Sequence, residues 1–173
     1  YFAVGGGAYT GGGMLNMLQN AANSTAFKNE DVGAVVVCDA SNDIRAKVDI
    51  SVLANSALVY ARANFPNARI LVVPVIWPAD PINDVLGVPG GYQGDWPVWL
   101  TVNCEGIKEA AAANGCEFVE DSWTWLTGRQ DWMVTTEVHP NGEGHTQIAR
   151  WISKHMRGES TRGDSPWVRA TYE

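Results

Sequence analysis

Short apolar runs rich in β-branched residues alternate along the chain with longer stretches in which apolar positions recur at helical spacing. The apolar runs predict four strands, at residues 1–4, 33–39, 68–78 and 116–121. The run at 33–39 has three consecutive β-branched valines at 35–37 and ends in a polar residue, which is typical of a strand buried on both faces of a sheet.

Helical spacing predicts a helix after each strand. These helices are expected at about residues 14–22, 49–64 and 102–115, and from just after Pro140 to residue 156. Asp49 is the candidate N-cap of the second helix. The β-α-β-α order predicts an α/β fold with a parallel sheet covered by helices, in which ligands bind at the carboxyl ends of the strands.

Length and composition fit one globular domain, expected over residues 1–157 and followed by a polar tail at 158–173. The net charge of −7, with only 12 Lys and Arg residues, disfavours nucleic acid and anionic membranes as partners. No apolar run approaches the roughly 20 residues of a membrane span. The three cysteines are expected to be small buried hydrophobic residues, with a Cys104–Cys116 bridge as the alternative.

Groups suited to acyl transfer follow the predicted strands. Residues 5–13 are rich in glycine after the first strand, Asn42 follows the second, and His139 precedes the last helix. Backbone N–H groups and an amide can stabilise an oxyanion, while a histidine can act as general base. The pattern therefore predicts an acyl-transfer site at the carboxyl edge of the sheet.

Three short blocks resemble the SGNH (GDSL-type) hydrolases, a family of esterases and deacetylases with a flavodoxin-like three-layer α/β/α fold. Residues 2–7 (FAVGGG) are similar to the second block of that family, residues 40–43 (ASND) to its third, and residues 136–140 (TEVHP) to its fifth. The resemblance covers about residues 1–156 and implies a serine-type ester hydrolase or carbohydrate O-deacetylase.

The resemblance also implies a role for individual residues. The Gly6 N–H and the Asn42 side chain would donate hydrogen bonds to the oxyanion, and His139 would be the general base. No cofactor is implied, and the substrate would be a small ester or an acetylated carbohydrate. Trp77 directly follows the third predicted strand and either lines the substrate pocket or fills the core.

Two positions depart from the family pattern. Ala40 stands where the family has a glycine, and Thr136 stands where it has the acid that orients the histidine. A threonine can accept a hydrogen bond but carries no charge to stabilise an imidazolium. Asp131 or Asp121 could take the place of that acid, or the site could work as a serine–histidine dyad with a lower rate.

The nucleophilic serine of the family belongs to a Gly-Asp-Ser block that follows a strand preceding residues 1–4. A preceding segment or separate chain is expected to supply this central strand and its serine, because a gap in the sheet would leave two rows of backbone groups unpaired. Residues 163–165 also read Gly-Asp-Ser, overlapping an Arg-Gly-Asp tripeptide. They follow a polar stretch without a strand pattern, so they are expected to be a coincidence in the tail.

Other classes of function remain open at this point. A catalytically silent SGNH-like module of a larger assembly, such as a phage tail, would account for Thr136 and for a missing serine. A nucleotide-binding flavodoxin-like protein would need phosphate-contacting residues that the sequence does not offer. His139, Glu143 and His145 lack the spacing of a zinc-binding helix, so no metal is expected. An extracellular or virion-associated location is expected rather than a cytoplasmic one.

Overall fold

The computed structural model describes residues 8–38, 40–76, 96–126, 128–134 and 139–159. They fall into two compact units, one within Tyr1–Val75 and Asp95–Val119, the other within Ile76–Gly94 and Glu120–Glu173. The predicted strand at residues 1–4 and the Gly-Asp-Ser at 163–165 lie outside the described residues.

The first unit contains a parallel sheet whose described strands are ordered β1-β2-β3. The strands are β1 (Ala34–Cys38), β2 (Arg69–Val73) and β3 (Glu117–Phe118). Val36 pairs with Leu71, and Leu71 pairs with Glu117 on the other side. The middle strand β2 is buried in its last four residues because it has a neighbour on each side. The predicted parallel sheet is confirmed.

Four helices accompany this sheet in the first unit. They are α1 (Gly13–Ala22), α2 (Ser41–Arg45), α3 (Ser51–Asn64) and α4 (Trp96–Ala113). Helix α3 packs against both α1 and α4, and α2 packs against α4. The buried side of α3 carries Ala54, Ala57, Leu58 and Ala61. The described structure is thus a mixed α/β fold with an all-parallel sheet, compatible with the flavodoxin-like arrangement predicted.

Two helix starts differ from the sequence prediction. Helix α4 begins at Trp96, well before the predicted start near residue 102, because Pro97 falls in the first turn, where a helix needs no N–H donor. Asp49 is not the N-cap of α3, whose N-cap position belongs to Ile50. Its carboxylate instead accepts hydrogen bonds from the Ser51 N–H and hydroxyl, at 2.9 and 2.6 Å.

Strand β1 is not buried on both faces, so that prediction is wrong. Val37 is 2% exposed, whereas Val36 is 40% exposed and Ala34 is also exposed. Within the described part of the chain, β1 pairs only with β2 and therefore forms an edge of the sheet. A β-branched run indicates a strand, but the burial of each face depends on neighbours that the run does not encode.

The second unit is built around helix α5, which spans Gly142–Met156. The Trp151 ring on this helix lies 5.3 Å from the Trp125 ring and 5.8 Å from the Trp132 ring, measured between centroids. Trp125 is completely buried, and Ile148 and Trp151 are the large buried side chains of α5. None of the described helices has both the length and the apolar character needed to cross a bilayer.

Candidate functional site

Asn42 lies directly beyond the carboxyl end of β1, in the first turn of α2. The Ala40 N–H donates to the Pro74 carbonyl at 2.8 Å, which continues the pairing of β1 with β2 past the ends of both strands. The Asn42 side chain is exposed, so its amide is available to a ligand at this edge of the sheet. This position agrees with the one predicted from the block at residues 40–43.

The next residue, Asp43, is completely buried. One carboxylate oxygen accepts a hydrogen bond from the Tyr9 N–H at 2.8 Å, and the other accepts one from the Thr10 N–H at 3.0 Å. The carboxylate therefore joins the middle of the glycine-rich segment to the turn that carries Asn42. Sequence reasoning assigned no role to Asp43, and the identity of its partners could not be read from local spacing.

The second half of the glycine-rich segment is explained by backbone geometry. Gly11 and Gly12 have φ values of 65° and 75°, which favour glycine, in the 3₁₀ turn that leads into α1. A side chain at Gly13 would place its Cβ 2.5 Å from the Ala8 carbonyl oxygen. These three glycines serve the turn itself. The oxyanion role was predicted for Gly6, which lies outside the described residues, as do Trp77 and Thr136.

His139 belongs to the second unit, where it precedes α5. Its carbonyl accepts a hydrogen bond from the Val134 N–H at 3.0 Å, and Pro140 forms an antiparallel bridge with Met133. The His139 side chain is exposed. The histidine is thus held by its backbone at a short chain reversal, with its imidazole accessible to solvent.

Asn141 anchors this reversal to the start of α5. Its side-chain oxygen accepts hydrogen bonds from the N–H groups of Glu143 and Gly144, at 3.0 and 3.1 Å, and so caps the helix. Its amide nitrogen donates to the carbonyls of Asp131 and Met133, at 2.8 and 3.2 Å. A single amide side chain therefore fixes both the helix start and residues 131–133, of which Met133 forms the bridge to Pro140 beside His139.

The two carboxylates considered as substitutes for the acid at position 136 both have other neighbours. The Arg129 guanidinium donates to both oxygens of Asp131, at 2.8 and 2.5 Å, and this pairing lowers the pKa of the Asp131 carboxyl. Arg129 also lies 3.3 Å above the Trp132 ring, as measured from its guanidinium carbon to the ring centroid. An oxygen of Asp121 lies 3.9 Å from Nε2 of His155.

His145 and the three cysteines were the other candidates for a metal site or a disulfide bridge. No group of three or more potential metal ligands occurs among the described residues. His145 is exposed in the first turn of α5, and its N–H donates to the Asn141 carbonyl as part of the helix. None of the three cysteines forms a disulfide, so the alternative bridge is not formed, and all three are only partly buried rather than buried as expected. Burial raises the pKa of the Cys116 thiol, which disfavours a reactive thiolate.

Comparison with known proteins adds no family to this description. No protein-family model matches the chain, and no curated protein is significantly similar to it in sequence. The α/β fold with its parallel sheet rests on the structure. The likeness to SGNH hydrolases rests on the three short blocks, of which the one around Asn42 is largely described here.

Proposed function

We propose that the protein is a serine-type carboxylic ester hydrolase acting on a small ester or an O-acetylated carbohydrate. The supporting observation is the hydrogen-bonded contact, made by the Asp43 carboxylate, between the glycine-rich segment and the turn that carries Asn42. This contact lies at the carboxyl end of β1 in a parallel sheet. Two backbone N–H groups within the glycine-rich segment donate hydrogen bonds to Asp43, the residue next to the exposed Asn42 amide. Backbone N–H groups beside a side-chain amide are the donors that a developing oxyanion requires.

In the proposed reaction, a serine from a segment upstream of residue 1 attacks the acyl carbonyl while His139 accepts its proton. The Gly6 N–H, the Asn42 amide and the N–H of the serine itself stabilise the oxyanion. His139 then protonates the leaving alkoxide, which leaves an acyl-enzyme. Water hydrolyses this ester with His139 again acting as base, and the serine is released with its proton.

The base works as part of a dyad in this proposal. Thr136 supplies no charge, Asp131 is engaged by Arg129 through both of its oxygens, and Asp121 lies beside His155. Loss of the orienting acid in a serine–histidine–aspartate triad lowers kcat by about 10⁴-fold. Slow turnover is therefore expected, and Thr136→Asp is expected to raise it.

The proposed serine needs a strand to carry it, and β1 is an edge among the strands that the structure describes. Val36 and Ala34 lie in a β-branched run yet are exposed in this structure. A further parallel strand beside β1 would cover such residues and pair the backbone groups of the edge. We propose that the upstream segment provides this strand as well as the nucleophile.

Hydrolysis of p-nitrophenyl acetate by the polypeptide extended upstream of residue 1 tests the proposal. His139→Ala is expected to lower kcat by about 10²- to 10⁴-fold, the usual contribution of a general base. His145→Ala is the matched control, because this exposed histidine lies on the same helix start and has no proposed role in the reaction. Unchanged hydrolysis in His139→Ala would rule out this residue as the base.

The catalytically silent module is the second candidate, favoured by Thr136. It predicts no hydrolysis by the extended wild-type polypeptide and none by its Thr136→Asp variant. An esterase working as a dyad predicts slow hydrolysis in the first and faster hydrolysis in the second. The two variants together therefore separate an enzyme from a binding or structural module.

A further inference from the structure

We propose that Asp43 is a positioning residue of this site, whose carboxylate holds the glycine-rich segment in register with the turn that carries Asn42. The inference rests on the proposed function, because these two segments are the ones that would supply the oxyanion donors. It adds a residue for which the sequence blocks predicted no role.

The Asp43 carboxyl group is buried and both of its oxygens accept hydrogen bonds from backbone donors. The side chain is 0% exposed, and its two oxygens accept hydrogen bonds from two successive N–H groups, those of Tyr9 and Thr10. The bonds connect residues more than 30 positions apart in the chain. Hydrogen bonds to a carboxylate are stronger than those between neutral groups, so this contact is well suited to fixing one segment against another.

The two donors belong to the start of a helical stretch. Thr10–Gly12 forms a 3₁₀ turn that runs directly into α1, and Tyr9 is its N-cap residue. N–H groups at such a start have no acceptor within the helix, and negative charge is favoured there. Asp43 therefore provides, from another part of the chain, the acceptors that this helix start lacks.

Replacing the carboxylate with its isosteric amide changes this contact in a defined way. Asn at position 43 keeps one acceptor oxygen but directs an NH₂ group at the second N–H donor, so one hydrogen bond is lost and two donors face each other. The glycine-rich segment is then free to move relative to Asn42. A displacement of about 1 Å in a positioning element lowers the rate by about 10²-fold.

Asn103 offers a matched control in the same unit. It is also 0% exposed, its Oδ1 accepts a hydrogen bond from the Ile50 N–H at 3.1 Å, and its Nδ2 donates to the Val48 carbonyl at 3.1 Å. Asn103→Ala thus removes buried hydrogen bonds that connect distant segments, as Asp43→Asn does, but at the start of α3. The change in kcat caused by Asn103→Ala therefore measures how much activity is lost when the fold is destabilised away from the proposed site.

The experiment compares kcat and KM for p-nitrophenyl acetate in the extended polypeptide and its Asp43→Asn and Asn103→Ala variants, at a temperature where all three are folded. Amide hydrogen exchange at Tyr9 and Thr10 is measured in parallel. Asp43→Asn is expected to lower kcat by about 10- to 100-fold and to change KM by less than about threefold, since oxyanion donors act in the transition state. Exchange at Tyr9 and Thr10 is expected to accelerate by at least about tenfold in this variant only.

The outcomes separate the inference from the proposed function. Equal losses of kcat in both variants would show that Asp43 affects activity only through the stability of the fold. An unchanged kcat in Asp43→Asn would show that the carboxylate does not position the glycine-rich segment. Either result overturns the inference. Unchanged exchange at Tyr9 and Thr10 would overturn it by removing the physical contact. A wild-type polypeptide without hydrolysis refutes the proposed function and the positioning role together, and the exchange data then show whether the contact itself is held by Asp43.

Discussion

Asn141 makes four hydrogen bonds with one side chain, and substitutions can separate its two tasks. Its Oδ1 caps α5 by accepting from the N–H groups of Glu143 and Gly144. Its Nδ2 donates to the carbonyls of Asp131 and Met133, and Met133 forms the bridge to Pro140 next to His139. Asn141→Ala removes both tasks, whereas Asn141→Asp keeps the cap and removes only the donated bonds.

The expected magnitudes follow from this division. Loss of an N-cap costs about 1 kcal/mol, and each net hydrogen bond contributes about 1 kcal/mol. Asn141→Ala is therefore expected to lower the free energy of unfolding by about 3 kcal/mol. Asp caps helices as well as Asn does, so Asn141→Asp loses about 2 kcal/mol through the two unmade bonds, and more if its carboxylate faces the carbonyl oxygens closely.

Urea unfolding followed by tryptophan fluorescence measures these values, since Trp125, Trp132 and Trp151 pack together in the same unit. Asn20→Asp is the control, because Asn20 is exposed on α1 and the same change of group there is expected to cost less than about 0.5 kcal/mol. A stability of Asn141→Asp equal to that of the wild type would refute the reasoning. It would mean that the Nδ2 bonds contribute nothing to the anchoring of the His139 segment.

Two further predictions concern a pKa and a sheet edge. Arg129→Gln is expected to return the pKa of Asp131 towards 3.8, because hydrogen bonds from Arg129 hold that pKa lower. The Arg129–Asp131 pair therefore stabilises the fold at pH values above the pKa that Asp131 has in the unfolded chain. That stabilisation is lost as the pH falls through the pKa of Asp131 in the folded protein. Carboxyl chemical shifts followed by NMR measure this pKa, and an unchanged value in the variant contradicts the assignment. Val36→Thr is expected to lower the free energy of unfolding of the 173-residue chain by less than about 0.5 kcal/mol, because Val36 is 40% exposed there. In the extended polypeptide the proposed strand covers Val36, so the loss is expected to be about 1–3 kcal/mol. Equal losses of unfolding free energy in the two polypeptides would argue against that strand.

The elements that the sequence predicted well are those with a strong local pattern. Helix α5 has its apolar positions on one face, and its predicted bounds are close to the observed ones. Strand β2 was found from its continuous apolar run, but it ends at Val73, five residues before the predicted end. Strand β3 is only two residues long, although six were predicted. Pairing with β2 limits that strand, and pairing is a property of two segments rather than of one.

In the candidate site, too, the features set by neighbouring residues in the sequence were predictable, whereas contacts between distant residues were not. The position of Asn42 after β1 could be predicted, because a strand end and a short block define it. The contact of Asp43 with Tyr9 and Thr10 could not, because it connects residues far apart in the chain with no periodicity between them. The pairing of Asp131 with Arg129 is local, and the spacing of two residues was a signal available in the sequence.

Asp43 and Thr136 show that a short sequence block predicts where a residue lies but not which charged group acts there. Asp43 follows the amide that the motif marks as functional, and its buried carboxylate orders the glycine-rich segment. Thr136 fills the position of the orienting acid and carries no charge. Under the proposed function, the Asp43 carboxylate positions the segment that supplies the oxyanion donors, whereas no carboxylate at position 136 orients the His139 imidazole. An acid restored at position 136 is therefore expected to accelerate hydrolysis only while the Asp43 carboxylate keeps its hydrogen bonds to Tyr9 and Thr10.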